Sequence, residues 1–392
     1  MKFAHLSDLH LGKRLHQFSL MEDQRYILQQ ALTVFEREKV ESVLIAGDVF
    51  DKVHASGEAI ALFDWFLEEL VKRRLTVFII SGNHDSPERI AFGKALLALG
   101  KVYVSPVFRG DVVSVTLSDA YGEIDVYLLP FLKPVHARYY YPEARIENYT
   151  EALALVLKDY PLHRERRNIL VAHQFVAGAQ RSDSEEIAIG GLEQVDSRVF
   201  EAFDYVALGH LHRPQRAGDA RFRYCGSPLA YSFSEAPCVE QEGERGETSG
   251  SPTGVEKSVT ILDMREKGDL RISTVPLKPL HDMAVLRGSF VWMTQEASLT
   301  GRYKDSYVKA VLLEEEDIPH GFARLADKYP GLMQMEYDNA RTGKRRELTH
   351  VRPGERLLPE DLFERFYREM NHRPMDERQH RYLREKIEHI WR

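Results

Sequence analysis

Apolar positions in the first two-thirds of the chain fall into short runs separated by longer amphipathic stretches. Five of these runs have strand length: Phe3-Ala4-His5-Leu6, Val43-Leu44-Ile45-Ala46, Val77-Phe78-Ile79-Ile80, Ile169-Leu170-Val171-Ala172 and Val206-Ala207-Leu208. Continuous apolar runs bounded by glycine and polar residues predict strands buried on both faces. Between them the pattern predicts helices over 21–39, 56–74, 88–99 and 150–160, with Ser56 and Glu58 standing where a cap and a first-turn acid belong. Residues 111–117 and 124–129 alternate weakly, as in a hairpin, and 259–264 reads as a further strand. Alternating strand and helix over 1–275 is the pattern of an α/β fold. The stretch 239–257 is rich in Gly, Glu, Ser and Thr and nearly devoid of apolar residues, so it reads as a mobile loop.

A second unit is expected over 276–340, with strands 307–313 and 332–337 flanking a helix at 321–328. Basic, Pro/Gly-punctuated residues 341–358 read as a linker. Two helices close the chain. One, over 361–370, gathers Leu362, Phe363, Phe366, Tyr367 and Met370 on one face; the other, over 376–391, gathers Tyr382, Leu383, Ile387, Ile390 and Trp391. A two-helix hairpin over 359–392 with apolar stripes calls for a surface to cover them, on a partner or on the chain's own body.

At 392 residues, two or three domains are expected. The formal charge of −7 does not point to nucleic acid, nor does it exclude a local basic patch. Two cysteines, Cys225 and Cys238, are too few for a disulfide framework and suit a reduced, cytoplasmic setting. No apolar run approaches the ~20 residues of a membrane span, and a first strand starting at Lys2 argues against a signal peptide.

The chemistry stands at the ends of the five runs: Asp8-Leu9-His10, Gly47-Asp48, Gly82-Asn83-His84-Asp85, His173 and Gly209-His210-Leu211-His212. Ligands of open α/β sheets collect at the carboxyl ends of the strands, so the five segments form a metal-binding constellation although two hundred positions separate them. In order and residue type they resemble the calcineurin-like metallophosphoesterases. The flanking KFAHLSDLHLGKRL, GDVFDKVHAS, SGNHDSPERI, GHLHRPQ and YCGSPLAYSFSE resemble, within that superfamily, the SbcD and Mre-type nucleases over nearly the whole chain.

The resemblance implies a β-sandwich flanked by helices at 1–275, a small α+β capping domain at 276–340 and a C-terminal helical hairpin that grips an SbcC ATPase. It implies one metal on Asp8, His10, Asp48 and His212, a second on Asp48, Asn83, His173 and His210, and a bridging water as nucleophile. Two like charges that close need a bridging carboxylate, and Asp48 is the candidate. Oxygen and imidazole donors without thiolate favour two Mn²⁺, with Fe or Zn as alternatives. His84 is implied to face the phosphate and aid the leaving group, which suits a side chain whose ordinary pKa lies near neutrality. Asp51 either orients His84 or caps the next helix. Lys13, Arg14, His16 and Arg89 meet phosphates or are solvated, and the helix bearing Phe63, Trp65, Phe66 and Leu70 is core or dimer interface.

The function implied is that of an SbcD-type nuclease subunit. It would act as an Mn²⁺-dependent exonuclease and endonuclease on double-stranded DNA ends and hairpins, in DNA repair, recombination and replication. A homodimer within a heterotetramer is implied. The chain carries no GxxxxGKS phosphate loop, so ATP falls to the partner. The alternatives are a stand-alone nucleotide phosphodiesterase and a scaffold with a vestigial site.

Overall fold

The computed structural model describes residues 1–158, 160–180, 182–183, 185, 194–241, 254–339, 363–364, 367–368 and 375–390, with 384–390 as backbone alone. The described residues divide into two compact units, Met1–Tyr337 and Asp338–Arg392.

Among the described residues of the first unit, twelve strands form two six-stranded sheets. One runs in the order Leu270–Pro276, Ser258–Met264, Lys2–Leu6, Ser42–Ala46, Thr76–Ile80, Val102–Val104. The other runs Gln215–Ala217, Asp219–Tyr224, Tyr205–Gly209, Arg167–His173, Gly122–Leu129, Val113–Asp119. The sheets face each other across a shared core. Leu44, Ala46, Phe78 and Ile80 of the first sheet pack there with Ile169, Val171, Tyr205 and Ala207 of the second. Alternate residues turn outward. Val43, Ile45, Val77 and Ile79 lie beneath helices Met21–Glu38 and Gly57–Lys72, and Leu170, Ala172, Val206 and Leu208 beneath helix Tyr149–Lys158. Burial on both faces is why these strands read as unbroken apolar runs. The expected α/β sandwich with flanking helices is the fold observed.

Local signals set the helix ends. Ser56 caps its helix by accepting from the Ala59 N–H at 3.2 Å. The single helix expected over 88–99 is two short ones, Pro87–Ile90 and Lys94–Leu99, because Gly93 between them adopts a left-handed conformation with φ of 70°.

A smaller, wholly parallel sheet orders Cys238–Glu240, Met283–Gly288, Tyr307–Leu312 and Leu332–Tyr337. It carries its own core of Leu286, Phe290, Met293, Leu299, Tyr303, Leu325 and Tyr329. Its first strand falls where the sequence suggests a loop. From the sandwich the chain runs out to Cys238–Glu240, then returns as Ser258–Met264, which pairs antiparallel with Lys2–Leu6. Asp23 fastens the small sheet to the sandwich, accepting from Tyr307 Oη at 2.8 Å and from the His281 N–H at 3.1 Å.

In the second unit, helix Glu377–Ile390 begins with a reciprocal cap. Asp376 Oδ1 accepts from the Gln379 N–H at 2.8 Å, and Gln379 Oε1 accepts from the Asp376 N–H at 3.0 Å. Residues 363–364 and 367–368 are helical, and Gln379 Nε2 donates to Tyr367 Oη at 2.9 Å. The linker at 341–358, with Leu362, Phe366, Met370 and Trp391 of the expected stripes, lies outside the described residues. Among the described residues no helix is long and apolar enough to cross a membrane.

Candidate metal centre

All five ligand-bearing segments meet at one edge of the sandwich. Strands Lys2–Leu6, Ser42–Ala46 and Thr76–Ile80 are parallel neighbours and deliver Asp8 and His10, Asp48, and Asn83 and His84. Strands Arg167–His173 and Tyr205–Gly209, parallel neighbours in the facing sheet, deliver His173, His210 and His212. The first sheet therefore supplies mostly carboxylates and amide, the second imidazoles.

The backbone at these positions is strained. Asp8, His10, Asp48 and His210 have φ of 53°, 43°, 48° and 102°. Left-handed conformations in non-glycine residues cost of order 1–3 kcal/mol each and persist only where neighbours over-determine them. Here the neighbours are main-chain bonds between adjacent strand ends: Asp8 N–H to Gly47 O at 3.0 Å and His10 N–H to Asp48 O at 3.0 Å. Two glycines allow the close approach. A Cβ on Gly82 would sit 2.1 Å from Asp48 Oδ1, and one on Gly209 would sit 1.9 Å from Ala46 O.

Two groups of donor atoms share Asp48. His10 Nε2 lies 3.0 Å from His212 Nε2 and 3.7 Å from Asp48 Oδ2. On the other side His173 Nε2 lies 3.3 Å from Asp48 Oδ2 and 3.0 Å from Asn83 Oδ1, which is 2.9 Å from His210 Nδ1. Neighbouring ligands at right angles on an ion with bonds of ~2.1 Å stand roughly 3.0 Å apart, so both spacings suit a divalent cation. Three metal-capable triads fall within this cluster: Asp8, His10 and His212; His10, Asp48 and His84; and Asp8, Asp48 and His173. His173 Nδ1 donates to Ala46 O at 2.8 Å, which fixes the ring with Nε2 turned toward Asp48 and Asn83.

Electrostatics point the same way. Burial raises the Asp8 carboxyl to about 7. Burial would likewise raise Asp48, but the charge and hydrogen bond of His173 hold it well below the carboxylate range. Burial opposes charge on His173, yet Asp48 and Asp8 push it up to about 9. Burial drives His10 and His212 well below the usual histidine range, leaving them neutral donors. Two buried acidic side chains beside the neutral imidazoles of His10 and His212 form a donor set that a multivalent cation completes, displacing the proton from His173.

His84 stands at the rim, half-buried. Its main-chain N–H donates to Asp48 Oδ1 at 2.9 Å, and its ring lies edge-on to His10 at 4.8 Å. Asp51 reaches it by main chain: His84 Nδ1 is 3.1 Å from the Asp51 carbonyl. The Asp51 carboxylate instead pairs with Lys13 Nζ at 2.7 Å, which places Lys13 at the wall of the site. Three supports have no counterpart in the sequence reading. The buried Asp85 carboxylate accepts from the N–H groups of Val49, Phe50 and Gly82 at 3.1, 2.9 and 2.9 Å. Gln24 Nε2 donates to His10 O at 2.7 Å. Tyr231 lies edge-on to His10 and His212 and donates to Leu9 O. Asp85 ends the quoted GNHD and Tyr231 lies inside YCGSPLAYSFSE, so the motifs carried both without their roles.

Residues 1–214 match the calcineurin-like phosphoesterase family, and residues 279–371 match the type 5 capsule protein repressor C-terminal domain. Over 394 aligned positions the chain is 31% identical to the SbcD subunit of the SbcCD nuclease of Staphylococcus epidermidis, spanning 100% of this chain and 98% of that protein. Among solved structures, a dimetal phosphatase from Danio rerio is similar at 15% identity and a TM-score of 0.42, over 71% of this chain and 98% of that one. A protein of Thermus thermophilus is similar at 12% identity and a TM-score of 0.38, over 70% and 98%.

Proposed function

We infer that this chain, which belongs to the calcineurin-like phosphoesterase family, is the nuclease subunit of an SbcCD-type complex and hydrolyses DNA phosphodiesters. The observation that carries the chemistry is the single Asp48 Oδ2, placed between His10 Nε2 and His173 Nε2. One cation would rest on Asp8, His10, Asp48 and His212, the other on Asp48, Asn83, His173 and His210. The mixed oxygen and imidazole donors favour Mn²⁺. Such a pair supplies an activated water and neutralises charge on the phosphoryl oxygens.

The chain's own residues do the rest. Asp48 holds the two sites together. Its Oδ1 anchors the His84 main chain and so fixes the ring at the rim. With Nδ1–H donated to the Asp51 carbonyl, the ring of His84 is held with Nε2 available to aid the departing oxygen. Asp51 thus acts through its carbonyl, and its carboxylate steadies Lys13.

One exposed face supports a self-partner, and the likeness to an SbcD subunit supports the others. Phe92 and Leu99 are each 85% exposed, beside an apolar cavity of about 480 Å³ lined by Ile60, Phe63, Leu67 and Leu97. That face is assigned to a homodimer. The C-terminal helices are assigned to the SbcC ATPase, the small sheet to capping DNA, and the whole to the cytoplasm, where its substrate lies. The test is Mn²⁺-dependent cleavage of linear and hairpin duplex DNA by the chain, with and without SbcC and ATP. Cleavage that is stimulated by SbcC supports the assignment. Activity confined to nucleotides and indifferent to SbcC would favour a stand-alone phosphodiesterase.

A further inference from the structure

His212 lies beyond strand Tyr205–Gly209, where no ladder fixes it. Its main chain is nonetheless gripped on both sides. The N–H donates to Glu185 Oε1 at 2.7 Å. The carbonyl accepts from Lys257 Nζ at 2.8 Å and from the Ser227 N–H at 3.1 Å. Lys257 is 6% exposed and forms an ion pair with Glu235, itself 1% exposed. Its ammonium also donates to Ser227 Oγ at 2.9 Å, and Glu235 Oε1 accepts from the Tyr231 N–H at 3.2 Å. The space around the carbonyl is full: Gly226 has φ of 77°, and a Cβ there would sit 2.6 Å from His212 O.

A buried ion pair is weak evidence for stability, since apolar side chains of similar size often serve a fold as well. What the ammonium adds is direction. It has three donors, and all three have acceptors here: Glu235, the Ser227 hydroxyl and the His212 carbonyl. The ion pair therefore holds a main-chain atom of a residue whose Nε2 lies 3.0 Å from His10 Nε2. It also closes the neck of the excursion to the small sheet, because Glu235 precedes Cys238–Glu240 and Lys257 precedes Ser258–Met264.

We propose that Lys257, Glu235 and Glu185 are positioning residues that clamp the His212 main chain and so set the occupancy of one of the two cation sites. The inference rests on His212 being a ligand, as proposed above. Outer-shell partners of metal ligands typically govern 10–100-fold in affinity, and the same range is expected here.

The test titrates MnCl₂ into the full-length chain. It follows stoichiometry by calorimetry, the spin coupling of paired ions by electron paramagnetic resonance, and folding by thermal melting. His212→Ala is expected to lose one of two ions. Lys257→Met and Glu185→Ala are expected to weaken that same ion ~10–100-fold, leave the other near wild type, and replace the coupled spectrum with that of isolated ions. Lys257→Arg keeps a charged donor and recovers most of the loss. If His212→Ala binds both ions normally, the ligand assignment falls and the clamp falls with it. If His212→Ala loses an ion while Lys257→Met or Glu185→Ala titrates like wild type, the clamp alone is overturned. Equal weakening of both ions also overturns it, since that signals general damage. If Lys257→Met fails to fold, Glu185→Ala decides.

Discussion

Replacing Gly82 by alanine adds one methyl group where the chain has no room for it. The new Cβ would stand 2.1 Å from Asp48 Oδ1, 2.5 Å from the Asp48 nitrogen and 2.7 Å from Asp48 Cγ. Ordinary carbon contacts lie near 3.5 Å, so Asp48 must retreat by roughly 1 Å. Asp48 is held by the His84 main chain and packed against the buried His10 and His173 rings, and Asp85 ties Gly82 itself to Val49 and Phe50, so neither side yields freely. Overpacking of this kind costs about 1–3 kcal/mol of stability. A 1 Å misplacement at a reacting centre costs about 10²-fold in rate, equivalent to about 2.7 kcal/mol in the barrier. The variant should therefore stay folded but lose Mn²⁺ and turnover together. Manganese content after equilibrium dialysis, hydrolysis of bis(4-nitrophenyl) phosphate and urea denaturation measure the three quantities. Gly57→Ala is the control, because a Cβ there meets nothing within 4 Å; it should change none of them. Wild-type manganese content with a rate within about threefold of wild type in Gly82→Ala would refute the claim that Asp48 is held by this contact.

His84→Ala keeps the main-chain N–H that Asp48 accepts, so it should retain both cations while turnover falls ~10²–10⁴-fold; loss of metal would make His84 a ligand instead. Arg167, 2% exposed, forks onto Asp119 at 2.6 and 3.1 Å and donates to Gly122 O and Arg265 O at 2.7 Å each, so Arg167→Met should cost about 3–5 kcal/mol in urea denaturation, and a loss under about 1 kcal/mol would contradict that. Against the cost of burial, Arg167 holds the Asp119 carboxyl well below its ordinary range. The pair's contribution is therefore present above pH ~4 and drains away as pH falls, and the variant's acid limb should be flatter than wild type. Phe92→Asp with Leu99→Asp should yield a folded monomer by sedimentation; an unchanged dimer would place the interface elsewhere.

The body and its centre were legible because their signals are local. A strand buried on both faces shows an unbroken apolar run, and each run ends at a side chain able to bind a metal. What escaped depends on pairs distant in sequence or on main-chain atoms. Lys257 reads as the end of a polar loop, yet it is buried because Glu235, more than twenty positions earlier, neutralises it. The resemblance left Asp51 either to orient His84 or to cap the next helix, and a motif cannot distinguish a carboxylate from a carbonyl; the Asp51 carbonyl lies 3.1 Å from His84 Nδ1, and Ser56 makes the cap. Cys238–Glu240 is a three-residue edge strand, too short to show a period. The break at Gly93 was hidden because glycine is tolerated inside a helical pattern.

The pairing of Lys2–Leu6 with Ser258–Met264 sets the order in which the body can be completed as the chain is made. Ser42–Ala46 can cover one edge of the first strand early. The other edge stays bare until residue 264 has emerged, roughly 10–50 s later at ribosomal speeds. The inner face of the first sheet waits as well, because its cover comes from Ile169, Val171, Tyr205 and Ala207. A nascent chain therefore carries an open strand edge and an apolar sheet face, the two features that invite wrong pairing. Asp8 and His10 are synthesised first and locked in place last.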